Sequence, residues 1–146
     1  METLILFLHT VAATILVGSA FFVGLAMIPT LKKTIPDRER MQFLSALGPR
    51  SKALMWGSII VLLTTGFYRI SILFGTSLWQ TGYGALLTSK IALAFIVIIF
   101  VFLHDFVLGP RMVKMNPASP SYKSTRRWLI IFSQLQLLAL LATVYI

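Results

Sequence analysis

Lys90-Ile91-Ala92-Leu93-Ala94-Phe95-Ile96-Val97-Ile98-Ile99-Phe100-Val101-Phe102-Leu103-His104-Asp105 is the stretch that decides the fold. An unbroken apolar run stands between a lysine and a His-Asp pair. With its flanks the run covers about 85–108, close to the roughly 20 residues that an α-helix needs to cross a hydrocarbon core. A helix there spans a bilayer. Ionisable groups held at that depth are costly, which makes Lys90, His104 and Asp105 candidate functional residues.

Three more runs of the same kind follow from the rest of the chain, at about 3–28, 52–74 and 128–146. The composition agrees. Of the 146 residues 58% are hydrophobic and only 12% charged, with a mean hydropathy of +0.88. A soluble domain carries about 25% charged residues, so a soluble class is excluded. The first run is read as a span, not a signal peptide, because it lacks a basic start and is longer than a signal's apolar core. Cysteine is absent, which removes disulfides, thiolate nucleophiles and thiolate metal sites. The expected fold is all-α: one integral membrane domain over 1–146, a four-helix up-down bundle.

The net charge of +9 is a topology signal. Lys32, Lys33, Arg38, Arg40, Arg50 and Lys52 lie in the link 29–52, and Arg111, Lys114, Lys123, Arg126 and Arg127 in the link 109–127. The link 75–84 has no basic residue. The positive-inside rule then places both termini outside and both basic links in the cytoplasm, in a multi-pass protein of the inner (cytoplasmic) membrane. The basic links attract anionic lipid headgroups, and nucleic acid is not an expected partner. Trp79, Tyr83, Tyr68 and Tyr145 fall at the outer interface, and Trp56, Tyr122 and Trp128 at the inner one, where such residues anchor. A short interfacial helix is expected over about 37–47, started by Pro36-Asp37 and stopped by Gly48-Pro49. Asn116-Pro117-Ala118-Ser119-Pro120 reads as a loop. No internal repeat is evident.

Two cations, Arg69 and Lys90, escape the basic links. With His9 they lie about 7–9 Å below their helix ends, on three different spans. His9 shares a stripe with Ala13, Leu16, Ala20, Val23 and Met27. Arg69 shares one with Met55, Ser58, Leu62 and Thr65, and Lys90 one with Ala94, Val97, Val101 and His104. Two polar tiers result: His9, Arg69 and Lys90 in the outer one, and His104 with Met55 and Ser133 or Gln134 in the inner one. Taken singly, a lysine or arginine there snorkels to headgroups and a methionine fills core. The depth match of three groups points instead to a site. A histidine beside Ala12 and Ala13, with two cations level with it, suits haem b: His9 ligates the iron, and Arg69 and Lys90 meet the propionates. His104 stands about 20 Å deeper than His9, so the two cannot share one iron. His104 with Met55 is a candidate second, His/Met-type site.

Phe7-Leu8-His9, Val17-Gly18-Ser19-Ala20-Phe21-Phe22 and Pro29 resemble the opening helix of HemJ-type protoporphyrinogen oxidases and of the CopD copper-resistance membrane domain. Leu86…Lys90 followed by His104…Gly109…Arg111 resembles their later, lysine-bearing helix. The HemJ resemblance implies a haem b protein, possessing a first-helix histidine as ligand and a lysine needed for activity, here His9 and Lys90. The ending His104-Asp105-Phe106-Val107-Leu108-Gly109-Pro110-Arg111 departs from that pattern. The reading is a haem-binding membrane protein, as an enzyme a haem-dependent oxidoreductase, with an open iron position for electron transfer, porphyrinogen oxidation or a diatomic gas. The rival reading is a CopD-like copper or ion and proton transporter using His104, Asp105 and Met55. A third is a structural membrane subunit without cofactor. Thr14 and Gly18, then Ala20 and Gly24, follow small-xxx-small spacing and predict a homodimer.

Overall fold

The computed structural model describes residues 1–73, 82–114 and 119–145. The anchor expected at Trp79 and the loop at Asn116-Pro117-Ala118 lie outside the described residues. Almost every described residue is helical. Helix α1 (Glu2–Phe21) runs into a π-helical segment (Phe22–Met27) and then α2 (Ile28–Thr34). Helix α3 follows (Asp37–Leu73). Helix α4 (Gly82–Phe102) runs into a second π segment (Leu103–Leu108) and α5 (Gly109–Lys114), and α6 (Pro120–Tyr145) completes the chain. Glu2–Thr34, Asp37–Ile72 and Gly82–Arg111 are each long and apolar enough to cross a membrane. Helix α6 has 26 residues, and its first turns carry Lys123, Arg126 and Arg127.

Proline places most of the breaks. Ile35 precedes Pro36, which disfavours the helical region for it. Ile35 is extended, at φ −131° and ψ 147°, and α2 ends there. Pro29 and Pro110 act differently. Each lacks an N–H, and its ring collides with the carbonyl four residues earlier, on Leu25 or Phe106. Both carbonyls lie inside a π segment, where the ladder has widened by one residue. The Ile28 N–H bonds to the Val23 carbonyl, and the Gly109 N–H to the His104 carbonyl, so each chain continues as helix. A Cβ on Gly109 would stand 3.1 Å from that His104 carbonyl oxygen, so glycine suits the close approach.

Gly48-Pro49 does not stop a helix, contrary to the sequence reading. Helix α3 begins at Asp37 as expected, with Asp37 paired to Arg40, and passes straight through Pro49. The reason is location. Pro49 and Ser45 are exposed and precede the apolar part of α3. The carbonyl that Pro49 leaves unbonded, on Ser45, meets solvent or headgroups there and not hydrocarbon. The interfacial helix and the second span are one rod of 37 residues.

The chain divides into two compact units, Met1–Trp79 and Gln80–Ile146. In the first, α1 packs on α3 and buries Ala12 and Leu16 together with Ser58, Ile59 and Thr65. In the second, α4 packs on α6 and buries Val97, Val101 and Asp105 together with Gln136 and Leu140. Phe100 and Phe132 meet edge to face at 5.5 Å. Many large apolar side chains, such as Phe22, Leu25, Phe67 and Phe95, are exposed, as lipid-facing residues are. The face bearing Thr14 and Gly18 is exposed too.

The units share a plan that side chains hide: apolar helix, six-residue π segment, short helix with proline second, long helix. Phe22 and Leu103 open the π segments, and Pro29 and Pro110 follow them, each pair 81 residues apart. His9 and Lys90 are separated by the same 81 residues. Lys90 therefore occupies, in the second unit, the position of His9 in the first.

Burial in lipid changes what a core mutation costs. Leu16 is buried between α1 and α3. In a bilayer the cut side chain exchanges protein for hydrocarbon, so only packing is lost. Leu16→Ala is expected to cost about 1–2 kcal/mol, below the roughly 2–5 kcal/mol of a water-soluble core. Leu25→Ala on the exposed face is expected to be neutral. Thermal unfolding of both variants in one detergent checks the difference.

Candidate functional site

His9 lies on the α1 face that meets α3, and its Nδ1 is 2.7 Å from the Thr65 hydroxyl oxygen. That oxygen is also 2.6 Å from the Val61 carbonyl, one turn back on α3. A hydroxyl has one proton to donate, and back-bonding to the carbonyl four residues earlier is the habit of helical threonine. The network therefore assigns the Thr65 proton to Val61, and the Nδ1–H of His9 donates to Thr65. The second ring nitrogen, Nε2, then carries the lone pair. This is the arrangement in which imidazole binds a metal, with the other nitrogen held by a neighbouring acceptor.

The next residue, Gly66, sits against the same ring. A Cβ there would lie 3.7 Å from His9 Cε1, an ordinary contact, so the imidazole edge rests over bare backbone. Arg69 is four residues beyond Thr65, on the same side of α3, and exposed. The α3 helix thus brings a hydrogen-bond acceptor, a flat glycine and a guanidinium into consecutive turns beside or above His9. Met55 is ten residues before Thr65, about 15 Å along the helix. It does not share the level of His9.

The second unit holds another fixed histidine. His104 Nδ1 is 2.9 Å from Asp105 Oδ1. A carboxylate oxygen accepts, so His104 donates to it from Nδ1. Asp105 is 6% exposed and lies with His104 in the π segment, a feature often found at functional positions. Lys90, half-buried on α4, is fourteen residues earlier, about 21 Å along the helix. Lys90 and His104 therefore occupy separate levels, as the sequence reading has them.

Of the residues singled out by sequence, His9, Met55 and Arg69 belong to the first unit, and Lys90 and His104 to the second. Thr65 is the neighbour of His9 that sequence reading placed on a stripe with Arg69 without giving it a role. The depth count puts Arg69 level with His9, whereas the hydrogen bond puts Thr65 there, one turn earlier on the same stripe. The inner-tier partners need correction. Ser133 spends its hydroxyl on the Leu129 carbonyl, and Gln134 is exposed. Gln136, two residues on, is the buried amide. Three residues move the helix face by most of a turn, but two move it by about 200°, so choosing between neighbouring glutamines needs the packing.

Among the described residues no three His, Cys, Asp or Glu side chains gather where they could hold a metal ion. Each unit instead offers one oriented imidazole.

Comparison with known proteins places the chain. A family model described as copper resistance protein D matches residues 45–146. An uncharacterized protein of Aquifex aeolicus (strain VF5) is 30% identical over 136 residues, which cover 91% of this chain and 85% of that protein. No solved structure matches. The family segment contains Met55, Arg69, Lys90, His104 and Asp105, and begins after His9.

Proposed function

Because the chain belongs to the copper resistance protein D family of membrane proteins, we propose that it is a multi-pass membrane protein whose first unit holds haem b through His9. One observation carries this reading: the Nδ1 of His9 is held by Thr65, which fixes the ring as a ligating imidazole is fixed. Thr65 orients the ring, Gly66 leaves its edge uncovered by a side chain, and Arg69 supplies a cation for a propionate. Bound there, haem supplies one-electron transfer or a place for a diatomic gas. Oxidation of a porphyrinogen, in the manner of the HemJ-type enzymes, is the narrower form of the proposal, and Lys90 is the residue to which that resemblance gives a role. The cytoplasmic membrane is the proposed location.

Protein purified from haem-replete cells is expected to show a Soret band and close to one haem per chain. Colourless protein from such cells overturns the proposal.

A second reading is favoured by the extent of the family match, which includes His104 and Asp105 and leaves His9 out. In it the chain handles copper as cargo, and His104, held by Asp105, is a transient nitrogen ligand. Colourless protein that takes up copper, and loses that uptake in His104→Ala, supports it over the first.

A further inference from the structure

The first three turns of α6 carry a feature that neither reading uses. A surface groove of about 380 Å³ runs along Lys123, Arg127, Trp128 and Ile131. On the other side of the same ridge a hollow of about 280 Å³ adds Arg126 and Ile130. Lys123, Arg127 and Ile131 follow one another at four-residue spacing, so they form one stripe. Along about 12 Å the stripe passes from ammonium to guanidinium to hydrocarbon. Trp128 is 53% exposed beside it, with its ring 6.1 Å from Phe132.

The charges here are not neutralised by their own element. Residues 106–146 contain no Asp or Glu. Lys123 and Arg127, four apart with the same sign, repel each other. An anion lying between them removes that repulsion. A molecule matching the whole stripe has a negative group at one end and an acyl chain at the other. Tryptophan and basic residues at the end of an apolar helix occupy the headgroup level, where such molecules are at hand.

We propose that the groove at the start of α6 is a binding site for one anionic phospholipid, its phosphate held by Lys123 and Arg127 and its acyl chain laid along Trp128 and Ile131. The site is independent of the cofactor, since it uses no residue of either histidine pair.

Native mass spectrometry of the full chain in detergent, titrated with phosphatidylglycerol or with phosphatidylcholine, tests this. The first phosphatidylglycerol is expected to bind at least tenfold more tightly than phosphatidylcholine. Each basic residue near an anionic surface is worth about fivefold in binding, so Lys123→Gln with Arg127→Gln is expected to weaken the first phosphatidylglycerol about thirtyfold. The charge-preserving pair Lys123→Arg with Arg127→Lys is expected to keep it. Lys32→Gln with Lys33→Gln removes the same charge from the other basic link and is expected to change nothing. Equal losses in the two glutamine pairs mean a bulk charge effect and overturn the site. So does equal binding of the two lipids by the unmodified protein. Displacement of phosphatidylglycerol by millimolar inorganic phosphate overturns the lipid assignment.

Discussion

His9→Ala protein is expected to purify without a Soret band while remaining helical and inserted in the membrane. The imidazole is the only histidine of the first unit, so its removal takes away the axial nitrogen altogether. Alanine is the best helix former, and position 9 lies in the middle of α1, so the backbone has no reason to change. Loss of colour with retained fold is thus a ligand effect. Thr65→Val is the finer instrument. Valine keeps the shape of threonine and deletes the acceptor that fixes His9 Nδ1. Losing such a supporting partner typically weakens metal binding about 10–100-fold. Thr65→Val is expected to bind haem that much more weakly without losing it, and Thr65→Ser to restore most of the affinity. Absorbance titration of each apoprotein with haem reads all three. A full Soret band in His9→Ala, lost instead in His104→Ala, would move the cofactor to the second unit.

Much of the candidate site is legible in the sequence. The apolar runs announced helices of membrane length, and His9, Arg69 and Lys90 stood out because charge is expensive there. Depth could be counted at 1.5 Å per residue, which separated Lys90 from His104. Other features resisted for physical reasons. Gly48-Pro49 reads as a stop, but the carbonyl that Pro49 leaves unbonded, on Ser45, is exposed, and the helix continues. Pro29 and Pro110 were visible, but their outcome was not. A helix meeting a proline can end, kink or widen by a residue, and packing decides which. The 81-residue repeat was hidden because its two halves agree in backbone and not in side chains: His9 answers to Lys90, and Gly24 to Asp105. The units have kept one hairpin plan while placing different chemistry on it. That difference is itself informative. An imidazole in one unit and a lysine at the same station in the other are different chemistry at matching positions.

Asp105→Ala is expected to be among the most destabilising single changes in the second unit, and a double-mutant cycle with His104→Ala should show why. Asp105 is the only acidic residue after Glu39, and it is buried in the π segment of an apolar helix. A charge in such a place persists only when it is paired and hydrogen-bonded. Its bond to His104 Nδ1 is one reason it persists. Hydrogen bonds to charged groups contribute about 1.5–3 kcal/mol. The His104 side chain is 40% exposed, which lowers that figure. A coupling of about 1–2 kcal/mol between the two positions is the expected value. Asp105→Asn separates charge from hydrogen bonding, because an amide oxygen still accepts from Nδ1–H. It is expected to lose less than Asp105→Ala, by about 1 kcal/mol. Unfolding of the two single variants, the double variant and the asparagine variant in one detergent measures both quantities. A coupling near zero would mean that the carboxylate is held by other groups and does not orient His104. The histidine would then lack the fixed Nδ1 that a ligand role in the second unit requires, and copper handling through His104 would lose its structural basis.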